Sequence, residues 1–253
     1  MTTLIYIYLF ILGLVFGSFF NVVGLRVPNK QSIVYPPSQC PHCQHRLGVW
    51  DLIPIFSYLF YKGKCRHCGL KVSPIYLFGE LITGILFMWI YFITGFSGEL
   101  MIGLLLVSLS VIITVSDLKY MIIPNKVLLV FLPFIILARF LFPSQPIWHY
   151  VVGFIVGGGV LLLLVIISRG GMGMGDVKLF AIFGLIIGIN QIVLALFIAS
   201  VVGSLIGITL IVLKKTQKKQ PIPFGPYLAL GTLITYGYGD EILQWYLSFL
   251  LQL

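Results

Sequence analysis

The sequence predicts an all-α polytopic membrane protein, a bundle of about eight transmembrane helices with one small zinc-binding loop subdomain. Three observations predict it. Hydrophobic residues make up 59% of the chain and charged residues only 9%, whereas soluble domains carry roughly 25% charged residues. The apolar residues fall into separate runs, several close to the roughly 20 residues that a helix needs to cross a bilayer. All four cysteines sit together in the one sizeable polar segment.

The elements follow in order along the chain. The first apolar run, 4–24, has no charged residue ahead of it and is followed by Arg26, so it reads as a retained first helix and not a cleaved signal. Residues 26–74 are polar and proline-rich, with all the cysteines and three of the four histidines. Further runs follow at 75–94, 98–116, 127–142, 150–168, 177–189, 191–213 and 226–250. Those at 127–142 and 177–189 are short, and the last is broken by Gly237, Gly239, Asp240 and Glu241. The chain therefore divides into a first helix (1–25), a loop subdomain (26–74) and a helix bundle (75–253).

Charge orients these helices. If the first runs from outside to inside, all of the 16 Lys and Arg residues except Arg139 fall in inside loops or at their edges. They include Arg26, Lys119, Arg169, Lys178 and the 214–220 stretch with Lys214, Lys215, Lys218 and Lys219. Cytoplasmic loops are enriched in Lys and Arg in this way. The net charge of +9 is thus explained by topology and by contact with anionic lipid, and no nucleic-acid partner is expected. The same orientation puts residues 26–74 in the cytoplasm.

The cysteines form two C-x-x-C pairs, Cys40-Pro41-His42-Cys43 and Cys65-Arg66-His67-Cys68, with 21 residues between them. Each pair is a tight turn that aims two thiolates at one ion, and two pairs complete a closed tetrahedral zinc site. Such a site folds a loop and has no open position for substrate. A redox dithiol, or a set in which His42, His45 or His67 replaces one cysteine, are the other readings of these residues. The reducing cytoplasm disfavours disulfides.

Two of the chain's seven acidic residues stand beside apolar runs. Asp117 ends the run that covers 104–115, and Asp176 closes Gly171-Met172-Gly173-Met174-Gly175-Asp176. An ionisable group at membrane depth costs about 2.5–3.5 kcal/mol on insertion scales and marks a functional site by default. The orientation puts both on the cytoplasmic side. Glycines lacking Cβ atoms let a helix end approach its neighbours closely, so Gly173 and Gly175 would let Asp176 meet a carboxylate on another helix, with Lys178 at the interface. The plain alternative is that Asp176 only caps the next helix. Pro124 and Asn125 suit the start of a helix after Asp117. Two carboxylates brought together form the dyad that aspartyl peptide hydrolysis requires.

These segments resemble the prepilin peptidases, the GxGD-type aspartic proteases that mature type IV pilins and pseudopilins. The resemblance runs nearly end to end. It covers Gly17-Ser18-Phe19-Phe20-Asn21-Val22-Val23 with Arg26 and Pro28, both cysteine pairs, Gly79-Glu80-Leu81, 117–125, 171–178 and Pro223-Phe224-Gly225-Pro226. The resemblance implies an enzyme of the bacterial inner membrane that cuts the basic leader of a prepilin after a glycine at the cytoplasmic face. Asp117 and Asp176 match the catalytic positions, with Gly173, Gly175, Lys178, Asn21 and Arg26 as motif support. It further implies methylation of the new amino terminus by S-adenosylmethionine, for which Gly63, Lys64 and Glu80 are the candidates. A turn with an ordinary inside lysine is the plain reading of Gly63-Lys64.

A proton-linked transporter is the rival reading, since intramembrane acids and glycine-broken helices occur there as well. Both aspartates lie toward one face and no inverted repeat is visible, which disfavours it. For the basic leader, Asp51 and Glu80 are the candidate attracting groups, although the surrounding loops are mostly basic.

Overall fold

A computed structural model describes residues 2–168, 171–214 and 222–251. Arg169, Lys215, Lys218 and Lys219, which the charge argument uses, lie outside the described residues. The described chain is all-helical: α1 (Thr2–Arg26), a 3₁₀ turn (Val49–Leu52), α2 (Phe56–Phe60), α3 (Ile75–Thr94), α4 (Gly98–Tyr120), α5 (Asn125–Leu141), α6 (Ile147–Ile167), α7 (Met174–Ile187), α8 (Ile189–Val212) and α9 (Gly225–Leu251). Apart from the short α2, each helix covers one of the apolar runs.

Five of them, α1, α3, α4, α6 and α8, are long and apolar enough to cross a membrane. Their outer faces stay apolar, as at Ile155, Leu163 and Ile166 of α6, all well exposed. Lipid is the solvent such faces require, and the chain is a multi-pass membrane protein. The helix α7 differs from the expectation of a full span. At 14 residues and 1.5 Å per residue it reaches about 21 Å, short of the roughly 30 Å hydrocarbon core. It is instead an interior helix, with Leu179, Phe180, Phe183 and Ile186 fully enclosed.

Helix α4 is the hub and packs against α1, α3, α5, α7 and α9, while α6 lies on α7 and α8 lies on α9. Two helix pairs come unusually close because glycines face each other. A Cβ on Gly13 of α1 would lie 2.7 Å from the Cα of Gly84 in α3. Gly153 of α6 likewise abuts the backbone of Gly184 in α7. Without a hydrophobic drive between helices in lipid, small residues supply this close van der Waals packing.

The neighbours fix the direction of each helix. Gly13 and Gly17 of α1 meet Gly84 and Glu80 of α3, so the two are antiparallel. Gly225 at the start of α9 meets Asp117 at the end of α4, and Tyr236 further along α9 bonds Glu99 at the start of α4. Lys178 near the start of α7 bonds Asn125 at the start of α5. The C-terminal ends of α1 and α4 and the starts of α3, α5, α7 and α9 therefore gather at one end of the bundle. The polar segment between α1 and α3 joins the bundle there.

Candidate active site and metal centre

Asp117 lies in the last turn of α4 and is buried. That turn stops at Met121, whose φ of 54° is left-handed and whose N–H bonds the Asp117 carbonyl at 2.8 Å. The chain then turns through Pro124 into α5. The Asp117 side chain faces α9, where its Oδ2 accepts the Gly225 N–H at 2.9 Å. Gly225 has to be glycine for space, since a Cβ there would sit 2.8 Å from that oxygen. The first N–H groups of a helix have no partner within it, so α9 offers Asp117 a free donor and the positive end of its dipole.

Asp176 lies in the first turn of α7, also buried. Helices α4 and α7 touch, and the Asp117 charge is felt at Asp176. Gly175 permits this approach, because a Cβ there would come within 2.9 Å of the Ile123 Cβ. Gly173 lies under the Asp176 carboxylate, where a Cβ would be 3.4 Å from Oδ2. Asp176 is thus both an acid in the first turn of a helix and a neighbour of Asp117. Lys178 bonds outside the pair, its Nζ donating to Asn125 Oδ1 at 3.1 Å.

The other motif residues hold the scaffold. Asn21 is fully buried in α1 and donates through Nδ2 to the Tyr76 carbonyl at 2.9 Å, which ties α1 to the start of α3. Arg26 donates to the carbonyls of Ser32 and Pro36 at 3.1 and 2.7 Å and folds the chain that leaves α1.

The two cysteine pairs adopt one conformation twice. In the first, Cys40 N–H bonds the His45 carbonyl and Gln44 N–H bonds the Cys40 carbonyl; in the second, Cys65 bonds Leu70 and Gly69 bonds Cys65 in the same way. Gln44 and Gly69 make the left-handed turns at φ 56° and 71°. All four sulfurs lie within 4.8 Å of one another, with Cys40–Cys68 and Cys43–Cys65 both at 3.9 Å. A tetrahedron with Zn–S bonds of about 2.3 Å has sulfur edges of about 3.8 Å, so the set fits zinc. The histidines do not join the sulfur cluster; His45 and His67 stack on each other at 3.4 Å. Backbone N–H groups of Cys43 and His42 pull the Cys40 thiol down to about 6. At Cys68 the Leu70 N–H acts in the same direction, but desolvation and the three other thiols outweigh it and push that thiol up to about 11. Four thiolates cannot share this space without a cation to neutralise them.

Gly63, Lys64 and Glu80 line one cavity of about 950 Å³ between the loop and the helix ends. Gly63 turns left-handed at φ 67° over the Tyr58 ring, which a Cβ would meet at 2.9 Å. Buried Glu80 accepts the Ile55 N–H at 2.8 Å and so ties the loop to α3. Ile55 is itself left-handed at φ 63°, a rare state for a β-branched residue. Asp51 lines the same cavity and caps its own turn, its Oδ2 accepting the Gly48 N–H at 3.0 Å. Reading the sequence missed the Gly225 and Ile55 donors, because backbone groups carry no sequence signature. The Pro223-Phe224-Gly225-Pro226 segment was the available signal for the first.

Two family models match the chain: the bacterial peptidase A24 N-terminal domain over residues 11–94 and the type IV leader peptidase family over residues 104–208. A protein of Bacillus subtilis (strain 168) named prepilin leader peptidase/N-methyltransferase is 39% identical over 240 residues, covering 95% of this chain and 97% of the relative. Proteins of the same name from Stutzerimonas stutzeri and Pseudomonas aeruginosa are each 32% identical over 267 residues, covering 94% of this chain and 92% of theirs. No solved structure matches the chain.

Proposed function

This chain belongs to the type IV leader peptidase family, and we propose that it cuts the basic leader from prepilin or pseudopilin substrates after a glycine. Asp117 and Asp176 are the catalytic pair in this reading. The observation that supports it is that two buried acids lie on touching helices at one end of the bundle, with one of them held by the free N–H of a third helix. Cutting takes place at the cytoplasmic face of the bacterial inner membrane, where the substrate's apolar helix stays in lipid and its leader reaches the bundle end.

The chemistry follows from proximity. Two carboxylates this close do not ionise together easily, so one keeps a proton at working pH. The ionised one takes a proton from water, which attacks the scissile carbonyl. The protonated one hydrogen-bonds the developing oxyanion and then protonates the leaving amine. Both acids lie at one end and not at mid-bundle, which speaks against a transport role.

The chain has three parts in this reading: the first helix (1–25), the loop subdomain (26–74) and the bundle with the protease site (75–253). Cys40, Cys43, Cys65 and Cys68 hold a structural zinc that folds the loop subdomain. The relatives' shared name supports a second activity, methylation of the new amino terminus, with Gly63, Lys64 and Glu80 serving it. S-adenosylmethionine supplies an electrophilic methyl group for that step.

The test is cleavage of a prepilin-like substrate by the purified protein in lipid, with S-adenosylmethionine present and products weighed by mass spectrometry. Wild type is expected to yield a shortened product carrying one added methyl mass. Asp117→Asn and Asp176→Asn are each expected to leave the substrate intact. Full cutting by either variant removes that aspartate from the mechanism. Metal analysis of the same protein is expected to give one zinc per chain, and a Cys43→Ser variant less.

A further inference from the structure

The loop subdomain has two unlike sides. One lines the cavity under it, through Ser57 and Tyr58 of α2 and Tyr61 just after it. The other carries apolar side chains that do not line that cavity. Trp50 in the 3₁₀ turn is 73% exposed, and Phe56 and Phe60 of α2 are 70% and 81% exposed. Val49 and Leu59 beside them are exposed as well. Phe56 and Phe60 stand one helical turn apart and share a side, and the 3₁₀ turn packs on α2. An aromatic side chain carries about 150–250 Å², so the three rings leave roughly 400 Å² uncovered. An apolar face of that size marks a contact surface.

The position of this face says what covers it. Ile55, next to Phe56, donates its N–H to Glu80 of α3 at 2.8 Å. Helix α3 has 20 residues, about 30 Å of length, which matches the hydrocarbon core. The start of α3 therefore marks the membrane boundary. Glu80 stands five residues past that start, about 7.5 Å along the axis. The entry to α2 is thus held at the depth of about 5–10 Å at which interfacial helices lie. Charge agrees with this placement. Residues 26–74 hold seven Lys and Arg against one acid, Asp51. That acid turns inward, with Oδ2 on the Gly48 N–H and Oδ1 buried. Anionic headgroups attract such a basic body, and aromatic rings suit the layer between headgroup and chain.

We propose that this face is a membrane foot. Trp50, Phe56, Leu59 and Phe60 enter the headgroup layer of the same bilayer that α1 and α3 cross, at the end of the bundle where the aspartates lie. The loop subdomain is then held to the membrane at three places: the end of α1, the start of α3 and the foot between them. The cysteine pairs at 40–43 and 65–68 flank the foot in sequence, so its grip fixes the tilt of the whole subdomain over the helix ends. A segment that charge alone puts in water thus has one side in lipid. The proposal rests on the membrane-spanning fold and not on the peptidase reading.

The test uses the full-length protein in nanodiscs of phosphatidylcholine and phosphatidylglycerol. Tryptophan emission is quenched with brominated lipids, and the difference between wild type and Trp50→Phe isolates Trp50 from Trp89, Trp148 and Trp245. Trp50 is expected to be quenched, and more strongly by lipid brominated near the headgroup than by lipid brominated near the chain end. A photoreactive benzoylphenylalanine in place of Phe60 is expected, on irradiation, to add the mass of one lipid to its peptide. An unquenched Trp50 overturns the proposal. A cross-linked dimer as the main photoproduct assigns the face to a second copy and overturns it too. So does an adduct with an added prepilin-like substrate that replaces the lipid adduct. Neither readout needs cleavage or methylation, so failure here leaves the peptidase reading standing.

Discussion

The two ends of the bundle treat their acids in opposite ways. At one end Glu99 of α4 pairs with Arg139 of α5 at 2.5 Å, the only ion pair among the described residues. Tyr236 of α9 donates to Glu99 Oε2 at 3.0 Å, while Arg139 also donates to the Ile186 carbonyl of α7 and lies 4.4 Å over the Tyr150 ring of α6. Five helices meet at one neutralised network. At the other end Asp117 and Asp176 stand on two touching helices, and the side-chain bond described for Asp117 is to a backbone N–H. A paired acid at membrane depth holds helices together. Among the described residues neither has an ion-pair partner, a condition that would keep their protons in play for the proposed acid–base chemistry.

The largest effect expected from this contrast is on catalysis. Replacing Asp117 or Asp176 by Asn keeps the shape and removes the titrating group, so leader cleavage is expected to fall by at least about 10³-fold, within the range for general acid–base groups. Thermal unfolding in detergent should show no loss of stability, because a buried charge with little compensation is removed. A variant that lost its fold as well would place these acids with Glu99, as structural groups.

Arg139→Met is expected to do the reverse. Removing the buried arginine leaves the partly exposed Glu99 uncompensated and costs less than the about 3–5 kcal/mol of a fully buried pair, read as a clear drop in Tm. Adding Glu99→Gln should recover part of it, since the stranded charge is then gone. The protein that remains folded is expected to cut the leader at close to the normal rate, because this network lies at the end of α4 away from Asp117. If the double variant is no more stable than the single one, the pair is not what joins these helices.

The legibility of the sequence divides along the same line. Apolar runs gave every long helix, because a lipid-facing helix shows its length in composition alone. The cysteine set was readable from spacing, since a knuckle is a local turn. Asp117 and Asp176 stood out in the sequence because acids are scarce here. The Glu99–Arg139 pair was not, although Arg139 was noted as the one basic residue off the inside. Its partner is 40 residues away, and nothing local in the sequence encodes that separation. Nor did an apolar run tell the interior α7 from a spanning helix, because burial in protein and burial in lipid select the same residues.

Gly225→Ala tests the reactive end at finer grain. The added methyl would lie 2.8 Å from Asp117 Oδ2, so the carboxylate must shift while the N–H donor stays. Loss of one preorganised donor costs about 10²–10³ in rate, and displacement without loss should cost less, about tenfold. The Tm should barely move. Unchanged cleavage would mean that the Gly225 contact does not set the position of Asp117.

The smallest effect is expected at Lys178, two residues after Asp176. Its Nζ donates to Asn125 across an exposed surface and links α7 to α5. A neutral-acceptor hydrogen bond of this kind contributes about 0.5–1.5 kcal/mol, and exposure puts it at the low end. Lys178→Ala should therefore lower cleavage by no more than about threefold, through a slight loosening of the start of α7. Asn125→Ala should match it, and the two changes together should add nothing, as they remove the same bond. If Lys178→Ala alone cut the rate as deeply as Asp176→Asn, its ammonium would have to neutralise the dyad during turnover. The reactive end would then hold a cation after all, and the contrast between the two ends would be one of timing and not of composition.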